Sequence, residues 1–385
     1  ASAEYPPIHG RHRSLLTVPH LVAIDLPGGD LFVATLRRIW DAGDAAFPLD
    51  RRLPPAARQD VLATIAPDRM IDESGARALD GHGVEHGDAL VVATSGTTGS
   101  ARGVVLTHDA LRASAEATSA RLEVRRDDTW LACLPLSHVG GLSVVTRSLL
   151  TNARLVVHDG FNSDAVSTAA ADGATLVSLV PTTLRRIEPS LFRRIVLGGS
   201  QPPADLPHNV VTTYGMTETG SGVVYDGKPL DGVEIRVDSD GEIHIRCPML
   251  LRCYRDGPAP LVDGWFATDD LGLLNDDGAL TVHGRRAEMI VTGGENVWPS
   301  AVEGVLRRHP DVAEVAVAGA PDVEWGQRVV AWIVPADAAS PPTLKSIRSM
   351  AGESLPMYML PKEVRLVDTL PMTSSGKVRR QDLPT

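Results

Sequence analysis

The chain has 385 residues, of which 43% are hydrophobic, 22% charged and only 4% aromatic, and its formal net charge is −11. This length is enough for two or three domains, and so acidic a surface disfavours nucleic acids and anionic membranes as partners. No apolar run approaches the ~18 residues that span a bilayer. Residues 1–13 lack a signal-peptide-like segment, and the three cysteines form no Cys-x-x-Cys pair. These features predict a soluble cytoplasmic protein without a membrane span or a nucleic-acid partner.

In chain order, the first predicted element is a helix over Leu31–Ala42, which Pro-rich connections follow up to about residue 90. From Ala89 to about Leu280, short apolar runs alternate with amphipathic stretches of helix length. This alternation predicts mostly parallel sheets flanked by helices, with ligands beyond the carboxyl ends of the strands. The predicted strands are Ala89–Ala93, Trp130–Leu134, Arg154–Val157, Leu176–Val180, Arg194–Leu197 and Val210–Thr213, and the helices include His108–Leu122 and Asp164–Ala171.

A small β element is predicted over Gly232–Ile245, where alternating residues flank an Asp-Gly turn, and a second hairpin around Asp276-Asp277-Gly278. Past Arg285 the pattern becomes that of a compact α+β unit. We therefore predict an α/β protein with a large N-terminal domain, residues 1–284, and a small mobile C-terminal domain, residues 285–385. The elements predicted in the second domain are a helix Ser300–Arg308, strands Val312–Ala318 and Arg328–Val334, and a helix around Leu344–Ser354.

A Gly/Ser/Thr-rich segment, Thr94–Gly103, directly follows the predicted strand Ala89–Ala93 and precedes a helix that begins near His108. Its glycines allow the backbone to turn tightly, its hydroxyls add donors, and Arg102 adds a cation. These groups suit a polyphosphate, whereas a mobile linker is the alternative. The segment lacks the Gly-Lys-Ser/Thr ending of a Walker A loop. The predicted phosphate-binding residues are Thr94, Ser95, Gly96, Thr97, Thr98 and Gly99.

A second polar segment, Tyr214–Thr219, follows the predicted strand Val210–Thr213. An aromatic face can stack on adenine, Thr217 can hold a phosphate oxygen, and Glu218 can bind Mg²⁺ through oxygen. Simple packing is the alternative for Tyr214.

These segments resemble, in the same order, the motifs of the adenylate-forming superfamily of acyl-CoA synthetases, luciferases and peptide-synthetase adenylation domains. Five motifs match between about residue 40 and residue 385. In the phosphate-binding motif, Ala101 and Arg102 replace the usual proline and lysine. The resemblance implies that ATP is also bound by Gly199, Ser200, Tyr214, Gly215, Thr217, Asp270 and Arg285.

The segment Pro371–Arg380 resembles the adenylation-lysine motif of the superfamily, which implies that Lys377 bridges the acid and the α-phosphate during adenylation. Without that resemblance, a solvated surface lysine would be the ordinary interpretation. Gly284-Arg285 matches the interdomain hinge, although Ala287 replaces the usual Asp or Lys. The implied reaction forms an acyl-adenylate and then a thioester with CoA. The residues implied as catalytic are Lys377, Glu218, Arg102 and His138, and those near the CoA thiol are Gly293 and Gly294.

The acid pocket is predicted from His138, Ser143 and Arg147. An arginine in an acid pocket indicates a substrate with a second anionic group, whereas packing of His138 and solvation of Arg147 are the alternative. His138-x-x-Gly-Leu with Arg147, together with the Gly-Gly-Glu-Asn-Val-Trp-Pro segment, resembles the o-succinylbenzoate–CoA ligases. The implied substrate is a keto-dicarboxylic aryl acid.

Only about 90 residues precede the phosphate loop, fewer than in most relatives, so the N-terminal domain is expected to be shortened. Either a smaller wall of the acid pocket or compensation by a homodimer would follow. Two other functions stay open at this point. One is an enzyme that adenylates another aryl or alkyl acid and loads CoA or a carrier protein. The other is a degenerate module that only binds nucleotide.

Overall fold

The computed structural model describes residues 18–95, 101–203, 205–373 and 378–384, and the side chain of Ser95 is not described. The predicted phosphate-binding residues Gly96–Gly99 and the predicted lysine, Lys377, therefore lie outside the described residues. The chain divides into two compact units. The first contains the described residues of Ala1–Pro202, Leu206–Ile235 and Ile245–Phe266, and the second those of Pro203–Asp205, Arg236–His244 and Ala267–Thr385.

The described elements up to residue 184 include both short strands and α-helices, and those between residues 189 and 274 are strands and short 3-10 turns. The helices are α1 Asp30–Asp41, α2 Pro55–Ile65, α3 His108–Arg121, α4 Val139–Thr151, α5 Ser163–Ala171 and α6 Pro181–Leu184. The strands are β1 Leu21–Asp25, β2 Ala45–Pro48, β3 Arg69–Asp72, β4 Gly75–Ala78, β5 Asp88–Ser95, β6 Ala101–Thr107, β7 Thr129–Ala132, β8 Arg154–Val157, β9 Leu176–Leu179, β10 Arg194–Leu197, β11 Val210–Gly215, β12 Gly222–Tyr225, β13 Lys228–Pro229, β14 Glu234–Val237, β15 Glu242–Arg246, β16 Cys253–Tyr254, β17 Gly257–Pro258, β18 Leu261–Val262 and β19 Trp265–Leu274.

Two mixed sheets form the first unit. One has eight strands in the order β17-β16-β6-β5-β2-β1-β3-β4, and the other has seven in the order β13-β12-β11-β10-β9-β7-β8. In the second sheet the strands from β8 to β11 are parallel, as their buried Val- and Leu-rich runs predict. Helices α3 and α5 begin at capping residues, because Thr107 and Asn162 each accept a hydrogen bond from a backbone amide of the first turn.

Beyond the Gly/Ser/Thr-rich segment, α3 begins at His108 as predicted, but the segment itself ends in a strand that was not predicted. Its end, Ala101–Gly103, lies in β6, which runs antiparallel to β5 and pairs Thr94 with Arg102. A strand therefore separates the segment from α3, which begins at His108. Arg102 lies on a strand rather than in a loop, so sheet pairing fixes its backbone.

Besides most of β19 and parts of β14 and β15, the second unit contains the elements after residue 274. They are β20 Leu280–Arg285, β21 Ile290–Thr292, β22 Glu295–Val297, α7 Pro299–Leu306, β23 Val312–Asp322, β24 Gly326–Pro335, α8 Leu344–Ala351 and β25 Glu363–Leu366. Strands β22-β21-β24-β23 form a sheet, with β25 parallel to β24. Both predicted hairpins, at the Asp-Gly turn before β15 and between β19 and β20, are present.

The α/β fold class is confirmed, with a large unit of mixed sheets and a smaller α+β unit. The precise domain boundary at residues 284–285 and the mobility of the second domain stay predictions. Within the part of the chain that the structure describes, no helix combines the length and apolarity needed to cross a membrane.

Candidate active site

A rigid turn after β11 presents Glu218. The hydroxyl of Thr219 donates to the carbonyl of Ser221 at 2.7 Å and accepts from the amide of Met216 at 3.0 Å, which fixes the short 3-10 turn Thr217–Thr219. Gly215 is required before this turn, because a Cβ there would lie 2.2 Å from the carbonyl oxygen of Ser221. The predicted residues Tyr214, Gly215, Thr217 and Glu218 thus occupy one strand end and one turn.

Arg102 on β6 lies against the short hairpin of β16 and β17. Its Nε and Nη2 donate to the two carboxylate oxygens of Asp256 at 3.2 and 3.1 Å, and its guanidinium lies 3.7 Å from the ring centroid of Tyr254. The hydrogen bond from Arg102 lowers the pKa of Asp256 and raises that of Arg102 itself. Sequence analysis identified neither Asp256 nor Tyr254.

Tyr254 also contacts Glu218. Its hydroxyl donates to Oε1 of the carboxylate at 3.0 Å, and the backbone amide of Leu251 donates to the Glu218 carbonyl at 2.7 Å. Burial, followed by the neighbouring Glu218, raises the pKa of the Tyr254 phenol, so the phenol remains a protonated donor at neutral pH. The structure therefore brings Arg102 and Glu218, two residues predicted separately, into contact with one tyrosine, at its ring face and at its hydroxyl.

The surroundings of Glu218 fit a magnesium ion. Mg²⁺ prefers oxygen ligands and is usually held by one or two carboxylates together with substrate phosphates. Glu218 is half-buried, one of its oxygens has a neutral donor, and no cation among the described residues forms an ion pair with it. Acceptor capacity and negative charge are both retained for a metal.

The predicted adenine loop follows β10. Gly199 has a left-handed backbone, φ 86°, and lies with Ser200 at the exposed carboxyl end of the strand. This is the edge at which β11 ends in Tyr214 and Gly215, because β10 and β11 are parallel neighbours. Strand polarity thus brings the predicted nucleotide residues of the two loops to one edge.

His138 precedes α4 and lies beside a carboxylate that sequence analysis missed. Its Nε2 is 3.5 Å from Oδ2 of Asp50, which also accepts two hydrogen bonds of 2.8 Å from Arg52. Burial acts to raise the pKa of Asp50, but the hydrogen bonds from His138 and Arg52 outweigh it and hold the pKa far below its ordinary value. His138 therefore has an anionic neighbour at all physiological pH values.

Arg147, in the middle of α4, is buried rather than solvated, with 2% of its surface exposed. Its guanidinium lies 4.8 Å from the ring centroid of Trp130, and Nη2 donates to the hydroxyl of Ser221 at 3.2 Å. Among the described residues, its Nε and Nη1 have no hydrogen-bond partner. Burial lowers the pKa of this guanidinium. Ser143, one turn after the start of α4, is also buried.

In the second unit, the two predicted nucleotide residues form one ion pair. Asp270 and Arg285 are directly opposite on β19 and β20, and the Arg285 Nε lies 2.8 Å from Oδ1 of Asp270. Arg285 also donates to the carbonyl of Thr268 at 3.1 Å. Both side chains are therefore positioned by one hairpin.

Gly293 and Gly294 form the turn between β21 and β22, and both have positive φ angles of 60° and 85°. A Cβ on Gly293 would lie 2.6 Å from the ring of Trp325. Trp325 as a residue is 42% exposed, and the ammonium of Lys362 lies 3.7 Å from the centroid of its ring. An exposed indole with a cation over it, beside the predicted CoA residues, was also missed by sequence analysis.

The comparisons with known proteins agree with these observations. The family profile "AMP-binding enzyme" matches residues 84–255, and "AMP-binding enzyme C-terminal domain" matches residues 301–377. A "Probable 2-succinylbenzoate--CoA ligase" of Mycobacterium tuberculosis (strain CDC 1551 / Oshkosh) is 36% identical over 390 residues, which cover 94% of this chain and 97% of that protein.

Among solved structures, the o-succinylbenzoate CoA synthetase (MenE) from Bacillus subtilis is similar. Its complex with the acyl-adenylate intermediate OSB-AMP superposes with a TM-score of 0.85 at 28% identity, covering 96% of this chain and 89% of that one. The complex of the same synthetase with ATP and magnesium ion superposes with a TM-score of 0.83 at 28% identity, covering 96% of this chain and 90% of that one. The chain therefore belongs to the AMP-binding enzyme family, and within that family it is similar to 2-succinylbenzoate–CoA ligases.

Proposed function

We propose that this protein is an ATP-dependent acid–CoA ligase that converts 2-succinylbenzoate to its CoA thioester through an acyl-adenylate. The 36% identity over nearly the whole mycobacterial ligase and the similarity to the synthetase bound to OSB-AMP support this activity. The observation that carries the substrate assignment is the buried guanidinium of Arg147, with two donor groups unpaired among the described residues.

A buried cation without a counter-ion is costly, and an incoming carboxylate would offset that cost through charge-assisted hydrogen bonds. 2-Succinylbenzoate has two carboxylates, so one can react while the other pairs with Arg147. A monocarboxylic acid would leave the guanidinium unpaired. His138 and Ser143, on the same helix or at its start, complete the proposed acid pocket.

In the adenylation step, the acid carboxylate attacks the α-phosphate and pyrophosphate leaves. We propose that Arg102, with Thr94–Gly99, holds the phosphates, while Gly199, Ser200, Tyr214, Gly215 and Thr217 hold the rest of the nucleotide. Glu218 would hold Mg²⁺, which when bound offsets the negative charge of the triphosphate. Asp270 is proposed to bind the ribose, with Arg285 in reach of the nucleotide. The amino group of Lys377 is proposed to stabilise the charge that develops between the acid and the α-phosphate.

In the second step, the CoA thiol attacks the mixed anhydride and AMP leaves. We propose that Gly293 and Gly294 lie near the thiol path and that Trp325 and Lys362 bind another part of CoA, because an indole can stack on a base and an ammonium can pair with a phosphate. Movement of a domain comprising residues 285–385 about Gly284–Ala287 would separate the two steps. A cytoplasmic location and a homodimer are proposed from the sequence.

Acid-dependent exchange of pyrophosphate into ATP tests this function. We would compare 2-succinylbenzoate with benzoate, succinate and a medium-chain fatty acid. The fastest exchange is expected with 2-succinylbenzoate. Faster exchange with a monocarboxylate would support adenylation but refute 2-succinylbenzoate as the substrate. The protein would then be an enzyme that adenylates another acid. ATP binding without exchange for any acid would indicate a nucleotide-binding module.

A further inference from the structure

We propose that Tyr254 is a positioning residue that holds the carboxylate of Glu218 and the guanidinium of Arg102 as one unit for Mg²⁺-bound ATP. This inference rests on the proposed function, in which Glu218 binds the metal and Arg102 the phosphates. Tyr254 itself would contact neither the metal ion nor the phosphates.

The first contact is directional. The Tyr254 hydroxyl donates to one oxygen of Glu218 at 3.0 Å, and the phenol can do so from a fixed place because its residue is 7% exposed and its ring is packed. An ionised carboxylate accepts through both oxygens, so the other oxygen stays available as a ligand. The amide of Leu251, three residues earlier on the same segment, fixes the backbone of Glu218 at 2.7 Å.

The second contact is made by the ring face. β16 is antiparallel to β6, with Tyr254 opposite Val104, and Arg102 projects from the same face of β6 as Val104. The guanidinium consequently lies 3.7 Å from the ring centroid. A cation over an aromatic face is attracted without losing its charge.

The neutral phenol of Tyr254 suits a residue next to a metal-binding carboxylate. A lysine or arginine in place of Tyr254 would neutralise Glu218 and compete with Mg²⁺, whereas a phenol orients the carboxylate without cancelling its charge. Tyr254 similarly does not neutralise Arg102, whose ion-pair partner in this structure is Asp256. Cation and anion thus contact one neutral side chain, the cation at its ring face and the anion at its hydroxyl.

The test is calorimetric titration of ATP into the enzyme at a series of free Mg²⁺ concentrations, without acid, so that no reaction occurs. Tyr254→Phe keeps the ring and removes only the hydroxyl. We expect the Mg²⁺ concentration that gives half of the maximal ATP affinity to rise about threefold to tenfold. In the presence of EDTA, ATP affinity should equal that of the wild type, because the ring still supports Arg102.

Tyr225→Phe is the matched control, since Tyr225 is fully buried and its hydroxyl contacts Thr118 at 3.2 Å rather than Glu218. It should leave the Mg²⁺ dependence unchanged. An unshifted Mg²⁺ dependence in Tyr254→Phe, or an equal loss of ATP affinity with and without Mg²⁺, would overturn the inference. Glu218→Gln distinguishes a failure of the proposed metal site from a failure of the proposed role of Tyr254. If it too leaves the Mg²⁺ dependence unchanged, the proposed metal role fails, whereas a shift in Glu218→Gln alone refutes only the role of Tyr254.

Discussion

The guanidinium of Arg147 lies over the indole ring of Trp130, 4.8 Å from its centroid, in a part of the first unit where both side chains are buried. The indole Nε1 of Trp130, like two nitrogens of Arg147, has no hydrogen-bond partner among the described residues. Aromatic attraction and one serine hydroxyl therefore replace the carboxylate that a buried arginine ordinarily has.

Replacing Arg147 should separate substrate recognition from stability. Arg147→Met keeps a long side chain but removes the charge, so the KM for 2-succinylbenzoate should rise about 30-fold to 100-fold, as expected for loss of a charge-assisted interaction. Unfolding free energy should be unchanged or higher, because no buried cation remains unpaired. Steady-state kinetics and urea unfolding measure the two effects.

Arg121→Met is the matched control for that variant. Arg121 lies on α3, and its Nη2 donates to the backbone carbonyl of Tyr225 at 2.8 Å. Its replacement should leave the KM for the acid unchanged. A large loss of stability in Arg147→Met with an unaltered KM would assign Arg147 to the core rather than to the substrate.

Removing the carboxylate of Asp256, the ion-pair partner of Arg102, should strengthen ATP binding. Asp256 pairs with Arg102 in this structure, and the two side chains are 57% and 39% exposed, so water screens the pair and it is weak. In Asp256→Asn the guanidinium is free for phosphate, and ATP affinity should increase about twofold to fivefold. Asp60→Asn, the same change of charge on α2, should have no such effect. Weaker ATP binding in Asp256→Asn would show that Asp256 orients Arg102 rather than competing for it.

Cys133, just after β7, should make stability depend on pH in the alkaline range. Burial raises its pKa from an ordinary 9.0 to about 12. The folded state favours the neutral thiol, whereas the unfolded chain ionises it above about pH 9. The contribution of the thiol to the free energy of unfolding is therefore complete below about pH 9 and is lost as the pH rises toward about 12. Between these values the wild type should lose about 1.4 kcal/mol of unfolding free energy per pH unit more than Cys133→Ala. Parallel pH profiles of the two proteins in urea unfolding would refute this.

Much of the fold could be predicted because its strands are short, buried and apolar. Arg154–Val157 and Arg194–Leu197 were predicted with the bounds that the structure gives, and the three helices for which bounds were predicted in the first unit, α1, α3 and α5, begin and end within one residue of them. Strand β6 was missed because its start, Ala101–Gly103, carries the glycine and arginine of a phosphate motif. The motif was assigned to a loop as a whole, although its end belongs to a hairpin.

The contacts around the site were less predictable because they join distant parts of the chain. Tyr254 is 36 positions from Glu218, and Asp256 is 154 positions from Arg102. The strand that carries Tyr254 has only two residues and no apolar pattern. Local sequence can reveal a motif, whereas a side chain that links two motifs becomes visible only when the sheet has been assembled.

The most direct test of the proposed function is analysis of the products formed from 2-succinylbenzoate, ATP, Mg²⁺ and CoA by mass spectrometry. The proposed mechanism predicts AMP, pyrophosphate and the CoA thioester of 2-succinylbenzoate. It also predicts that Lys377→Ala forms no thioester from these substrates but still converts preformed acyl-adenylate and CoA. Release of ADP and phosphate, or a thioester formed only with a carrier protein, would contradict the assignment.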